Sequence, residues 1–242
     1  MKKSLTYIIF CDLIFVLLLT VAGTVGGIFG DAVYYLAFII PISLALGFVK
    51  VGEVRFDPPK LRISAENMLL TLPVTAPTLA LIFFVSWLTS LILSYFGKGS
   101  TADVSGNIIL VIFTHAILTA VLEEALFRYI PLAYLTRYSK RWAVLFSALF
   151  FALAHCNIFQ IPYAFIAGVV FAVLDIAFDS IIPSLIIHFV NNFISIIWLR
   201  GGADADFVTV YIAVLVIFAL VSLIPVAIFR KKYINKIKSV FQ

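Results

Sequence analysis

The chain has 242 residues, of which 64% are apolar and only 12% charged, with 24 Phe and a mean hydropathy of +1.17. A soluble domain carries about 25% charged residues, so this composition cannot cover a water-facing surface. It excludes a soluble enzyme, an ordinary nucleic-acid binder and a disordered regulator. At about 20 residues per span plus short loops, the length holds about eight transmembrane helices. The expected fold is an all-α polytopic membrane protein, with a single membrane-embedded domain over 1–242.

The apolar runs, cut at charges and turn residues, fall at 5–29, 32–49, 68–96, 107–136, 141–158, 160–178, 181–199 and 207–229. They are too long and continuous for barrel strands, and helices satisfy their own backbone inside lipid. The first run follows Lys2 and Lys3 and resembles a signal peptide, with Thr20-Val21-Ala22 as a weak cleavage site. Asp12 interrupts it and further spans follow, so it is read as an uncleaved first helix. Between the second and third runs, residues 50–66 hold Asp57-Pro58-Pro59 between two alternating stretches, which suits a small hairpin or an interfacial segment. Cys11 and Cys156 both sit in apolar stretches and make no disulfide framework.

The charges orient the chain. With the N-terminus in the cytoplasm, fourteen of the 17 Lys and Arg fall in inside segments, from Lys2 and Lys3 to Lys236 and Lys238. Lys98 and Arg200 lie outside, and Arg128 lies within a span. This is a strong positive-inside asymmetry, and it places both termini in the cytoplasm. The net charge of +5 therefore reads as topology and contact with lipid headgroups, with no nucleic-acid partner.

Ionisable residues inside spans are costly and mark function by default. Those in the apolar runs are Asp12, His115, Glu123, Glu124, Arg128, His155, Asp175 and His188. Asp12 and Asp175 fall near helix ends, where structure alone explains them, and His115 reads as a satisfied interior histidine. Glu123 and Glu124 differ, because two adjacent carboxylates in mid-helix need a partner or a water-filled cavity. On an α-helix Arg128 is four residues after Glu124, where an ion pair forms readily, and is turned about 140° from Glu123. Glu124 and Arg128 are thus expected to be a structural ion pair, leaving Glu123 as the reactive carboxylate and general base. His188 and Asn192 share a helix face and suit an oxyanion site. His155 shares a face with Phe151. A carboxylate, two imidazoles and an amide on three helices form a hydrolase constellation.

Glu123-Glu124-Ala125-Leu126-Phe127-Arg128 fits an EExxxR motif, Phe151 to His155 fits FxxxH, and His188 to Asn192 fits HxxxN. In this order and spacing the chain resembles the CPBP family of intramembrane proteases, which includes the CAAX prenyl endopeptidase (Ras-converting enzyme) type and bacterial bacteriocin-processing and abortive-infection proteins. The match covers the catalytic helices, 107–200. Tyr129 departs from it, since many members carry Gly there. The resemblance implies an eight-helix protein of the bacterial plasma membrane, with an embedded cavity open to the cytoplasm. It implies cleavage of a peptide or lipidated protein substrate, with membrane lipid as the other partner. It assigns Glu123, Glu124, His155, His188 and Asn192 to catalysis: Glu123 and His155 activate water, while His188 and Asn192 bind the oxyanion. No cofactor is favoured. Zinc or another divalent metal, if present, would fall to Glu123, His155 and His188, although the HExxH pairing is missing.

At 1.5 Å per residue, Glu123 lies about 20 Å from Arg137 and His155 about 21 Å from Arg141. His188 lies only about 12 to 14 Å beyond Asp179 on the same rise. A turn over 179–183 that dips into the membrane beside the cavity reconciles them. Two other readings stand beside the peptidase: a non-cleaving peptide-binding or bacteriocin-immunity protein on the same fold, and a transporter with a proton relay. An intact reactive set favours the peptidase over the binding protein. The transporter lacks the matching broken halves that such folds show.

Overall fold

The computed structural model describes residues 1–50, 56–97, 105–201 and 205–241, and only the backbone of 201 and 205–211. Arg55 and Lys98, counted in the charge asymmetry, lie outside the described residues. The described chain is helical, with α1 (Lys2–Val25), α2 (Gly27–Lys50), α3 (Ala65–Tyr95), α4 (Ile108–Leu135), α5 (Lys140–Ala154), α6 (Ile161–Phe178), α7 (Ile182–Gly201), α8 (Ala205–Ile228) and α9 (Arg230–Phe241). Each of the eight apolar runs folds as a helix.

Length and hydropathy make six of these helices candidate membrane spans, and a seventh if α8 and α9, bent by 83° at their junction, count as one. The expected eight is thus met as helices and not as full-length spans. The shortfall is α5, whose 15 residues rise about 22 Å against a hydrocarbon core of about 30 Å. It stops at His155 because Cys156 turns into the left-handed region at φ 48°, and Pro162, near the start of α6, cannot continue a helix. The basic tail is a helix the apolar runs do not reveal: α9 is amphipathic and buries Tyr233 and Val240.

Two consecutive left-handed glycines, Gly26 at φ 66° and Gly27 at φ 55°, reverse the chain between α1 and α2 with no intervening loop. The α5–α6 contact rests on Gly168, where an added Cβ would fall 2.8 Å from Ala148 Cα. Small residues let membrane helices approach this closely.

In place of the expected hairpin, residues 56–64 run across one end of the bundle. Asp57 N donates to Ala133 O, Lys60 N to Asp179 O and Ile181 N to Lys60 O, and Lys60 pairs with Ser180 as an isolated parallel bridge. Phe56 packs its edge on Tyr129 and Tyr134, so Tyr129 faces this strap. The turn at 179–181 is half sunk. Asp179 and Lys60 pair at 2.5 Å with both side chains exposed, while Ser180, Ile181 and Ser184 are buried.

The helix carrying the two glutamates is not a plain α-helix. π-helical stretches at Ile112–Leu118 and Ala125–Tyr129 flank the α-helical turn Thr119–Glu124. The Thr114 carbonyl accepts both the Thr119 N–H and the Thr119 hydroxyl, at 2.9 Å for the latter. Each π turn admits an extra residue and rotates the chain that follows, a distortion frequent at functional sites.

Candidate active site

A cavity of about 650 Å³ opens among α1, α2, α4, α5, α6 and α7, and Glu123, His155, His188 and Asn192 all line it. His188 stands at its centre. Its Nδ1 donates to Glu124 Oε1 at 2.7 Å, and its Nε2 lies 3.3 Å from Glu123 Oε2. An imidazole between two carboxylates needs a proton at each contact.

Glu124 therefore does more than the ion pair expected of it. Its hydrogen bond goes to His188, while Arg128 Nε stands 3.8 Å from Oε2 as an ion contact without a hydrogen bond. Arg128 has no solvent exposure. Its Nη1 donates to the Phe127 and Ser147 carbonyls at 3.0 and 3.4 Å. Its guanidinium carbon lies 4.3 Å from the Phe151 ring centroid and 5.7 Å from that of Phe171, where a desolvated cation is attracted by the ring faces.

His155 and Asn192 line the cavity without joining the triplet. His155 ends α5, and its Nδ1 donates to the Phe151 carbonyl at 2.7 Å. That bond fixes the proton on Nδ1 and leaves Nε2 as an acceptor when the ring is neutral. Asn192 Nδ2 donates to the His115 carbonyl at 3.3 Å, and Asn191 Nδ2 donates to Asn192 Oδ1 at 3.2 Å. The π-helical stretch containing His115 thus positions the amide. Phe151 organises the rest. Its ring meets His155 edge-on at 4.8 Å and His188 at 5.5 Å, while covering Arg128.

Of the trio named for a metal, Glu123 and His188 are in contact, with Oε2 3.3 Å from Nε2, and His155 keeps Nε2 free while its Nδ1 donates to its own helix. Among the described residues no group of three His, Cys, Asp or Glu converges to hold an ion.

Asp175 is the residue that sequence reasoning misplaced. Read as a helix-end aspartate, it is fully buried. Its Oδ1 accepts from Ser184 N at 3.1 Å, fixing the start of α7 one turn before His188, while Oδ2 has no hydrogen-bond partner. The signal was present on α7. Ser184, His188 and Asn192 recur every four residues, a polar stripe on an apolar helix that calls for a polar neighbour.

The cavity is deep at one end only. Its exposed lining residues are Ser105, His115 and Leu199. Its floor is Phe127, Phe151 and Phe171, each no more than 3% exposed.

No curated protein and no solved structure matches the chain. Residues 104–194 match the family model described as type II CAAX prenyl endopeptidase Rce1-like. That segment holds both glutamates, Arg128, His155, His188 and Asn192, so over the stretch that builds the site the chain is similar to the type II CAAX prenyl endopeptidases.

Proposed function

We propose that the protein is an intramembrane endopeptidase that cleaves a membrane-associated or lipidated peptide with a glutamate-activated water. The observation that carries this reading is His188 held between Glu123 and Glu124 on a cavity enclosed by membrane helices. The family supports the reaction class. In this reading α5 and α8 complete eight passes and both termini share the cytoplasmic side.

Each group has a chemical task. Glu123 takes a proton as the water oxygen attacks the scissile carbonyl carbon, and His155 Nε2 offers a second acceptor for that water. The carbonyl becomes a tetrahedral oxyanion, which accepts a hydrogen bond as His188 Nε2–H turns from Glu123 toward it. Glu124 makes this possible by anchoring Nδ1, the role an orienting carboxylate plays for a catalytic histidine. The Asn192 amide stands on the same wall as a further donor. Collapse breaks the C–N bond, and the proton held by Glu123 passes to the leaving amine. Such donors and bases each contribute about 10²- to 10⁴-fold.

The test is cleavage of quenched prenylated and unprenylated peptides by detergent-purified wild type and Glu123→Ala. The variant should lose at least ~100-fold. Near-normal turnover by folded Glu123→Ala refutes the mechanism, and no cleavage by wild type returns the fold to a peptide-binding role.

A further inference from the structure

The two ends of the bundle differ in charge and in access to the site, and the differences run in opposite directions. Cross-links identify one end. Lys60 meets Asp179 and Lys232 meets Glu66, while Lys140 and Arg141 donate to the carbonyls of Ser239 and Phe241. Tyr134 OH donates to Ala45 O, and Tyr7 stacks on Phe48 at 4.1 Å. The starts of α1, α3 and α5, the ends of α2, α4 and α6, and all of α9 therefore lie together. Thirteen of the fifteen described Lys and Arg belong to this end. Of the other two, Arg128 is buried in the core, and Arg200 donates to Gly106 O at the opposite end. The positive-inside rule makes the basic end cytoplasmic.

The cavity does not reach that end. Below the floor of Phe127, Phe151 and Phe171, the path is filled by Arg128, Glu124 and Ser147, then by Leu132 to Leu135, none more than 1% exposed. The exposed lining residues lie at the other end. Leu199 sits beside Arg200, Ser105 beside Gly106, and His115 in the first half of α4. The mouth expected on the cytoplasmic side is thus at the end away from the basic cluster. The lining also carries no Lys or Arg among the described residues, and the imidazole of His188 is already taken up by Glu123 and Glu124. It provides no cation for a free carboxylate close to the cut.

We propose that the cavity is entered from the non-cytoplasmic face, and that the substrate is an exported or translocated polypeptide cut within its chain, with no carboxylate beside the scissile bond. This rests on the peptidase reading for its chemistry, and on charge and packing alone for its direction.

The experiment has two arms. In a Cys156→Ser background, where the remaining Cys11 is buried, Ser105→Cys and Lys60→Cys are probed with a membrane-impermeant thiol reagent on spheroplasts and on inverted vesicles. Ser105→Cys should label at least ten times faster on spheroplasts, and Lys60→Cys on inverted vesicles. The reverse pattern, or equal labelling of both, overturns the orientation. In the second arm, a charged, impermeant quenched peptide with an internal site and an amidated end is added to sealed right-side-out or inverted vesicles. Cleavage should occur right-side-out and be abolished by Glu123→Ala. Cleavage confined to inverted vesicles overturns the proposal. If the detergent-purified protein cleaves no peptide, the peptidase reading has failed, and the labelling arm still decides the direction.

Discussion

Glu124→Gln separates charge from shape at the most buried ionic contact among the described residues. The amide keeps the side-chain outline, and its oxygen still accepts from His188 Nδ1, now 2.7 Å from Oε1. The negative charge 3.8 Å from Arg128 Nε disappears. Arg128 has no solvent to turn to, and its Nε and Nη2 already lack hydrogen-bond partners. Removing one member of a buried pair costs about 3–5 kcal/mol. The Phe151 and Phe171 ring faces remain against the guanidinium, which holds the figure near the lower end, about 3 kcal/mol. At about 2–4 °C per kcal/mol for a chain of this size, Tm in a single detergent should fall by about 6–12 °C, and cleavage should fall with it. Glu123→Gln removes a carboxylate that is 15% exposed in its side chain and whose ion contact is with His188. It should melt within about 2 °C of wild type and be nearly inactive. Glu124→Gln combined with Arg128→Met deletes both charges and should recover at least half of the lost Tm. If Glu123→Gln is the unstable variant and Glu124→Gln melts like wild type, the two roles are reversed.

Gly168→Ala places a methyl group 2.8 Å from Ala148 Cα, and overpacking of this kind costs about 1–3 kcal/mol. A lowered Tm is expected, and a wild-type melt shows that α5 and α6 do not pack this closely. Stringent chelation should leave peptide cleavage unchanged, because the proposed reaction activates water with Glu123 and calls on no ion. Activity lost on chelation and restored only by added Zn²⁺ contradicts the metal-free reaction.

The helices were legible because each apolar run is long, and the motifs because intramembrane charge is rare. Glu123, Glu124 and His188 were visible one by one, but their arrangement was not. Counting 100° per residue assumes an α-helix throughout α4, whereas the π stretch beginning at Ala125 changes the phase between Glu124 and Arg128. It also says nothing about α7, whose His188 supplies the hydrogen bond that Glu124 makes. Asp175 was hidden for a related reason. Its distance from the end of α6 suggested water, but the end itself is covered by the strap through Lys60 and by the first turn of α7. The amphipathic α9 escaped a search for apolar runs because its buried face is only Tyr233 and Val240, spaced among five cations.

The packed floor also decides where the membrane voltage falls. A water-filled cavity conducts ions and carries the potential of its mouth inward, so little of the drop occurs along it. Nearly all of it is concentrated across the layer from Phe127 to Leu135, about 12 Å at 1.5 Å per residue. Moving one charge through the whole drop costs about 2.3 kcal/mol per 100 mV. A proton passing from the mouth to Glu123 crosses almost none of it. On the proposed peptidase reading, hydrolysis at His188 and Glu123 exchanges protons with one compartment without discharging the gradient between the two, and the ring of Phe151 beside the site also insulates the membrane beneath it.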